Sequence, residues 1–120
     1  MKKSDSPYVA QMLECIANVR RYIGTMSYQE FLDDSKTQDA VLMQLQQMGE
    51  AAKRVSDETR TTVDVPWKKI AGFRDVIAHE YFDILLSLVW NNIVSELRAV
   101  EAPLAAYLHE HPLPDIEDRK

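Results

Sequence analysis

Apolar residues recur along most of the chain at alternating spacings of three and four, which is the pattern of amphipathic helices. The first such segment begins after Ser6, a residue type that caps helices, and Pro7 takes the first helical position. The apolar side of this helix consists of Tyr8, Met12, Cys15, Val19 and Tyr22. Gly24 ends the helix. Ser27 then caps a short helix, and Glu30 completes a capping box with it.

The same spacing predicts two more helices in the middle of the chain. A second long helix begins near Thr37. Its apolar side consists of Val41, Leu45, Met48, Ala52 and Val55. The polar run 56–58 either closes this helix or caps a further turn. Pro66 opens the next helix. One side of that helix carries Trp67, Ile70, Phe73 and Ile77.

Asp83 is a natural cap for the last long helix, which we expect to run without interruption to the end of the apolar pattern. Its apolar side consists of Leu86, Trp90, Ile93, Leu97, Val100, Leu104 and Tyr107. The spacing continues past Pro103, so a kink is expected there rather than a break. Trp67 and Trp90 are expected in the core.

No strand is predicted, because the only alternating stretch, residues 63–65, is too short. The fold class is therefore all-α. We predict an antiparallel helical bundle of four main helices plus short helices. Residues 1–112 would form this helical domain, and the charged, proline-containing residues 113–120 would form a flexible acidic tail.

The composition indicates a small globular protein with a hydrophobic core. It has 120 residues, of which 46% are hydrophobic, enough for one domain. A lone Cys15 excludes an intrachain disulfide framework. There is no signal-peptide pattern and no apolar run of the ~18 residues that a membrane span needs. We therefore expect a cytoplasmic protein without a membrane association.

Charge argues mildly against an indiscriminate nucleic-acid binder, since the net charge is −5. The charge is unevenly distributed, however. Residues 50–80 carry six positive and six negative side chains and are the least acidic part of the chain. The cations available there for phosphates are Lys53, Arg54, Arg60, Lys68, Lys69 and Arg74.

The candidate chemistry lies in this balanced stretch, where Arg74 is followed after four residues by His79 and then, one residue further, by Tyr81. Five residues on a regular helix correspond to ~500° of rotation, so the Arg74 and His79 side chains would point about 140° apart. They can act together only if the helix ends or bends between them, or if the site takes residues from two chains.

An arginine and a histidine suit the cleavage of RNA without a metal. Histidine, with a reference pKa of ~6.5, serves as base or acid at neutral pH. Arginine stays cationic and holds two phosphate oxygens through its fork. The sequence shows no cluster with the spacing of metal ligands, and we expect neither a metal nor another cofactor.

The wider context of the motif is more specific than the pair alone. Trp67, Gly72, Phe73-Arg74-Asp75, His79 and Tyr81-Phe82 together resemble the signature of HepT-like proteins in the HEPN superfamily. The run 49–54 also resembles a stretch that these proteins carry in their second long helix. The resemblance covers about residues 6–108 and includes the all-helical pattern.

The resemblance implies a toxin that is a metal-independent RNA endonuclease, acts as a homodimer and is paired with a cognate nucleotidyltransferase antitoxin. Carried over to this sequence, the family motif makes Arg74 and His79 the catalytic pair. Asp75 occupies the polar position after the arginine and either orients Arg74 or His79, or only caps. The resemblance also implies that the antitoxin attaches AMP to Tyr81.

Other interpretations stay open from the residues alone. Arg74 and Asp75 could be an exposed charged pair, and His79 an ordinary histidine at a helix C-terminus. Tyr81 could be an aromatic that fills the turn before the last helix. The main alternative function is a catalytically silent helical dimer that binds a nucleotidyltransferase or a nucleotide. A weaker third option is a sensor domain detached from a larger enzyme.

Overall fold

The computed structural model describes residues 4–73, 86–91 and 96–113, and this part of the chain contains helices and no strand. The helices are α1 (Ser6–Ile23), α2 (Tyr28–Leu32), α3 (Ser35–Lys53), α4 (Asp57–Thr62), α5 (Trp67–Ala71) and α6 (Leu97–Glu110). Residues 86–91 are helical as well. The predicted all-α class is confirmed.

Helices α1 and α3 form the centre of the bundle and run antiparallel. Near the start of α1, Asp5 binds Ser56, which follows the end of α3. Further along, the Asn18 amide donates to the Gln44 side chain in the middle of α3 at 3.1 Å. The contacts thus proceed in opposite directions along the two helices, as the short connection through α2 requires.

Helix α6 lies against the other side of α1 and is also antiparallel to it. The Arg20 guanidinium near the end of α1 pairs with Glu101 near the start of α6 at 2.7 Å. At the opposite end, the Asp5 backbone N–H donates to the Tyr107 hydroxyl at 3.3 Å. Three of the four predicted main helices therefore pack as an antiparallel bundle. The predicted helix after Pro66 is shorter than expected, because α5 ends at Ala71 with Gly72 as its cap and does not run on through Phe73.

The core is built from the predicted apolar stripes. All five positions predicted for the second long helix are buried, although Val55 lies just after the end of α3. On α1, Val9 and Ile16 join the predicted side, while Tyr8 and Tyr22 pack at its edge. Each fully buried Val, Leu, Ile or Met side chain stabilises the fold by roughly 1.5–3 kcal/mol. The fully buried side chains with the largest volumes are Phe31, Met12, Ile16, Met48, Ile70 and Leu104.

Most helix ends follow the predicted local rules. Ser27 and Glu30 form the predicted capping box at α2. Ser56 caps α4, which decides between the two alternatives for that run. Gly24 ends α1 with a φ of +54°, which a residue with a Cβ adopts only at a cost.

Two helix starts were placed wrongly. Helix α3 begins at Ser35 rather than near Thr37, because the Asp34 carboxylate accepts a hydrogen bond from the Thr37 N–H at 3.0 Å and so caps an earlier turn. Ser6 is the first residue of α1 and not its cap. The capping position is Asp5, but its carboxylate is directed away from α1 and toward α4.

The prediction of one uninterrupted last helix was also wrong. Helix α6 begins at Leu97, with Glu96 as its cap at φ −113°. The apolar spacing continues through this boundary, and neither glycine nor proline marks it, so the periodicity could not reveal it. The helix does continue through Pro103 without a break, as predicted. The proposed cap Asp83 lies outside the described residues.

The start of α1 joins the end of the bundle through a group of hydrogen bonds. The Asp5 carboxylate accepts from the Ser56 N–H at 3.2 Å, from the Ser56 hydroxyl at 2.6 Å and from the Thr59 hydroxyl. Next to it, the buried Ser6 hydroxyl donates to the His111 carbonyl. Burial would raise the pKa of Asp5, but the hydrogen bonds from Ser56 and Thr59 outweigh it and lower that pKa.

Candidate functional site

The predicted site residues Arg74, Asp75, His79 and Tyr81 all lie outside the residues that the structure describes. Their mutual arrangement therefore stays a prediction. The structure does describe both ends of the segment that carries them. Phe73 and Leu86, the described residues on either side, are 9% and 3% exposed. The segment 74–85 is thus attached to the core at each end.

The end before Arg74 is held by the short helix α5. Trp67 is buried, and its indole N–H donates to the Val63 carbonyl at 2.9 Å. Ile70, one turn later, is 1% exposed. These two contacts hold α5 against the core directly before the candidate motif. The prediction that Trp67 is a core residue is confirmed.

Helix α5 lies directly against the backbone of α3 at Gly49. A Cβ at position 49 would be 2.9 Å from the Ile70 carbonyl oxygen and 3.5 Å from that of Ala71. Real Cβ atoms do not approach that closely, so a larger residue would push α5 away. A glycine in the middle of a helix is unfavourable by itself, and this contact is the reason for it. The sequence marked Gly49 only as part of a resembling stretch.

The end after the motif is held by residues 86–91. Leu86 and Val89 are buried in the core. The half-buried Trp90 ring lies 5.3 Å from the Phe31 ring and 5.7 Å from the Tyr28 ring, both centroid to centroid. Such tilted aromatic contacts add to the apolar burial. The chain is therefore packed against the core directly after the motif, as it is directly before the motif.

Cations surround the junction of α3 and α5, but only some of them are available to a ligand. Lys69 pairs with Glu96, which links α5 to the start of α6. The Arg60 guanidinium donates to the Ala52 and Lys53 carbonyls, at 3.0 Å each, and so caps the end of α3. Arg60 and Lys69, two of the cations that the sequence offered for phosphates, are thus each engaged by other residues of the described structure.

Three cations at this junction stay exposed: Lys53, Arg54 and Lys68. Within residues 4–73, 86–91 and 96–113, no ion pair or hydrogen bond engages any of these side chains. Lys53 and Arg54 follow Gly49 by about one turn of α3, and Lys68 precedes Ile70 in α5. All three therefore lie near the backbone contact between α3 and α5.

Over the described ranges, no group of three or more His, Cys, Asp or Glu side chains is placed to hold a metal ion. His111, at the end of α6, packs its ring 4.4 Å from the Tyr107 ring. In the same part of the chain, no helix is long and apolar enough to cross a membrane.

The described helices define a small all-α protein, and the chain matches one known family of that class. The model of the ribonuclease HepT-like family matches residues 12–106, so the chain belongs to this family. The matched range includes Arg74, Asp75, His79 and Tyr81. Membership confirms the family, the fold class and the ribonuclease class that the sequence predicted.

Individual relatives match over most of their own length. The protein named Probable ribonuclease HepT from Thermococcus cleftensis is 29% identical over 102 residues, which are 84% of this chain and 93% of that protein. A candidate RNase from Caldanaerobacter subterraneus subsp. tengcongensis is 34% identical over 110 residues, covering 90% of this chain and 97% of its own. A candidate RNase from Methanocaldococcus jannaschii is 32% identical and covers 80% of each chain. No solved structure shows significant similarity.

Proposed function

We propose that this protein is a toxin endoribonuclease that cleaves RNA without a metal ion, with Arg74 and His79 as its catalytic pair. The observation that carries the proposal is the match to the ribonuclease HepT-like family over residues 12–106, because the arginine–histidine motif lies within it. The anchoring of Phe73 and Leu86 in the core supports the proposal, since catalytic groups need a rigid support.

The proposed reaction uses the substrate's own 2′-hydroxyl. A base removes its proton, the 2′-oxygen attacks the neighbouring phosphorus, and the bond from phosphorus to the 5′-oxygen breaks. An acid protonates the departing 5′-oxygen, which leaves a 2′,3′-cyclic phosphate and a 5′-hydroxyl. His79 performs proton transfer, and Arg74 stabilises the anionic transition state through its fork. Asp75 is assigned a supporting role in orienting one of the two.

The experiment compares wild type with the variants His79→Ala and Arg74→Ala on purified protein and maps the RNA ends. Each variant should lose roughly 10²-fold or more in cleavage while keeping the wild-type helical content. Cleavage by wild type should continue in EDTA and leave 2′,3′-cyclic phosphate ends. A folded His79→Ala variant that cleaves like wild type would remove the catalytic assignment. A wild-type protein without any cleavage would favour the alternative, a silent dimer that binds a nucleotidyltransferase or a nucleotide.

Regulation by a cognate nucleotidyltransferase antitoxin is the second part of the proposal. That enzyme would transfer AMP from ATP to the Tyr81 hydroxyl, forming an oxygen–phosphorus bond and releasing pyrophosphate. Tyr81 is two residues after His79, so an added nucleotide would bring bulk and negative charge to the place of the scissile phosphate. Both effects would exclude RNA from the site.

Coexpression tests the regulation. The antitoxin should add the mass of AMP to Tyr81 and abolish cleavage. A Tyr81→Phe variant should stay toxic and escape this inhibition, because the hydroxyl is the acceptor and takes no part in catalysis. A label found on another residue, or inhibition of Tyr81→Phe as strong as that of wild type, would contradict the assignment.

We also propose that the active form is a homodimer. Each chain offers one histidine in the motif, whereas the reaction uses both a base and an acid, and a two-fold axis near His79 would supply the second. The net charge of −5 opposes association, so an apolar contact has to offset it. Leu88 in the helical segment after the motif is 43% exposed, and Tyr28, whose ring contacts Trp90 in the same segment, is 37% exposed; these two side chains leave apolar surface in this region.

A further inference from the structure

We infer that Lys53, Arg54 and Lys68 form a second phosphate-binding surface, the α3–α5 cationic strip, which holds RNA beside the scissile phosphodiester. This inference rests on the proposed ribonuclease function and adds the residues that position its substrate. The strip contacts phosphates that do not react, so its members are positioning residues. Their contribution would be to affinity and not to the chemical step.

The first argument is the place of the strip in the fold. Gly49 brings the backbones of α3 and α5 into contact, with the Ile70 carbonyl 2.9 Å from the position of a Cβ. Lys53 follows Gly49 by four residues, which puts it on the same face of α3, about 6 Å further along the axis. Lys68 belongs to α5 itself. Both lysines therefore lie along one junction between two helices.

The second argument is the distance to the motif. Phe73, the described residue next to Arg74 in the sequence, is two residues after Ala71, the last residue of α5, and two residues extend over at most about 7 Å. Together with the Gly49 contact, this places the backbone of Lys53 within about 20 Å of that of Phe73. A single strand that occupies the catalytic site continues for a few nucleotides over such a distance. The strip is thus within reach of the same RNA molecule.

The third argument is the availability of the charges. Two other cations close to the strip take part in contacts within the fold: Arg60 caps the end of α3, and Lys69 pairs with Glu96. By contrast, Lys53, Arg54 and Lys68 are exposed, and within the described ranges none of them is engaged in an ion pair. In a chain with a net charge of −5, cations gathered without such a partner favour an anionic ligand.

The proposed phosphate-binding role of Lys53 has to be distinguished from a purely structural role. Lys53 lies in the last turn of α3, where a cation is favourable to the helix dipole. That role would affect the stability of the protein and leave RNA affinity unchanged. A test therefore needs both measurements, together with a control that removes the same number of charges elsewhere.

The test uses the double variant Lys53→Gln/Lys68→Gln and the control Lys36→Gln/Arg21→Gln. Lys36 is in the first turn of α3, about 26 Å from Lys53 along the axis, and the antiparallel α1 brings Arg21 to the same end. All four side chains are exposed. Both double variants remove two positive charges, so an effect of net charge alone would be equal in the two.

Binding of a long unstructured RNA is measured in the His79→Ala background, so that affinity is read without cleavage. The strip variant should bind roughly 10-fold more weakly, and the slope of log Kd against log salt should fall by about 1.4, or about 0.7 for each lost phosphate contact. In the His79-containing protein, KM for this RNA should rise with kcat nearly unchanged. Cleavage of a dinucleotide should not change. The control should bind and cleave RNA like its parent. The melting temperatures of the two double variants should fall by similarly small amounts, because each removes one cation from the last turn of a helix.

Three outcomes would overturn the inference: equal losses in the strip variant and the control, an unchanged salt slope, or a dinucleotide cleaved as poorly as the long RNA. Loss of melting temperature with unchanged Kd would assign Lys53 to the helix dipole alone. Failure of the proposed function is recognised separately, since it would appear as absence of cleavage by the wild-type protein while the binding measurements still report on the strip.

Discussion

Replacing Gly49 by alanine tests the structural idea that the backbone contact of α3 with α5 positions the catalytic motif. In an ordinary helix this substitution is stabilising by about 1 kcal/mol, because alanine has the higher helix propensity. Here the new methyl group would be 2.9 Å from the Ile70 carbonyl oxygen. That atom belongs to the backbone and cannot rotate away, so α5 has to move.

The two effects have opposite signs, and the contact is expected to dominate. Overpacking of a tight interior site costs typically 1–3 kcal/mol. After subtraction of the propensity gain, we expect a net destabilisation of about 1 kcal/mol, or roughly 3–6 °C in melting temperature for a domain of this size. The effect on catalysis should be larger, since a displacement of about 1 Å costs up to 10²-fold in rate.

The assay measures both quantities on purified protein, namely thermal unfolding and RNA cleavage per folded molecule. The matched control is Gly24→Ala at the end of α1. Gly24 has a φ of +54°, so alanine is strained there at a cost of about 1–3 kcal/mol, but its surroundings are open, with the nearest atom 4.0 Å from a Cβ. This control should lose stability and keep its cleavage rate, whereas Gly49→Ala should lose roughly 10-fold or more in rate.

Stabilisation by Gly49→Ala would show that α3 and α5 are not in the described contact. A cleavage rate equal to that of the Gly24→Ala control would show that the contact supports the fold but does not position the motif. Either result refutes the reasoning, and the two can be told apart because unfolding and cleavage are measured on the same samples.

Three further predictions concern the core, the chain ends and the dimer. Asp5→Asn should destabilise the protein by about 1–3 kcal/mol at neutral pH, because the charged acceptor of the Ser56 and Thr59 hydrogen bonds is lost. Because the pKa of Asp5 is lowered in the folded state, this stability is present above the unfolded-state pKa of about 3.9 and disappears as the pH falls through the folded-state pKa. Urea unfolding across that pH window should therefore show the free energies of unfolding of the variant and of wild type converging. Burial raises the pKa of the Cys15 thiol to about 11, so it should resist alkylation at pH 8 until the protein unfolds; rapid labelling of the native protein, followed by mass spectrometry, would contradict its buried position. A covalently tethered dimer with His79→Ala in one half should lose nearly all cleavage if the site is shared, whereas about half the wild-type rate would indicate two independent sites.

Local rules of helix formation account for what could be predicted about the fold. The capping box of Ser27 and Glu30 and the termination of α1 at Gly24 depend on atoms only a few residues apart. The buried side of α3 follows from a spacing that any amphipathic helix shows. Family resemblance added the site residues, from Arg74 to Tyr81, and the family match contains all of them. These residues lie outside the described ranges, and their arrangement stays a prediction.

Tertiary contacts decided the features that the sequence by itself left open. The Asp5 carboxylate binds Ser56, which is 51 residues away in the sequence. The Ile70 carbonyl lies where a Cβ at position 49 would have to fit, so glycine within α3 is explained by a contact with another helix. Arg60 belonged to a group of apparently free cations, yet it caps the end of α3. Such contacts depend on the packing of whole helices, and no local spacing or propensity encodes which distant residue becomes a neighbour.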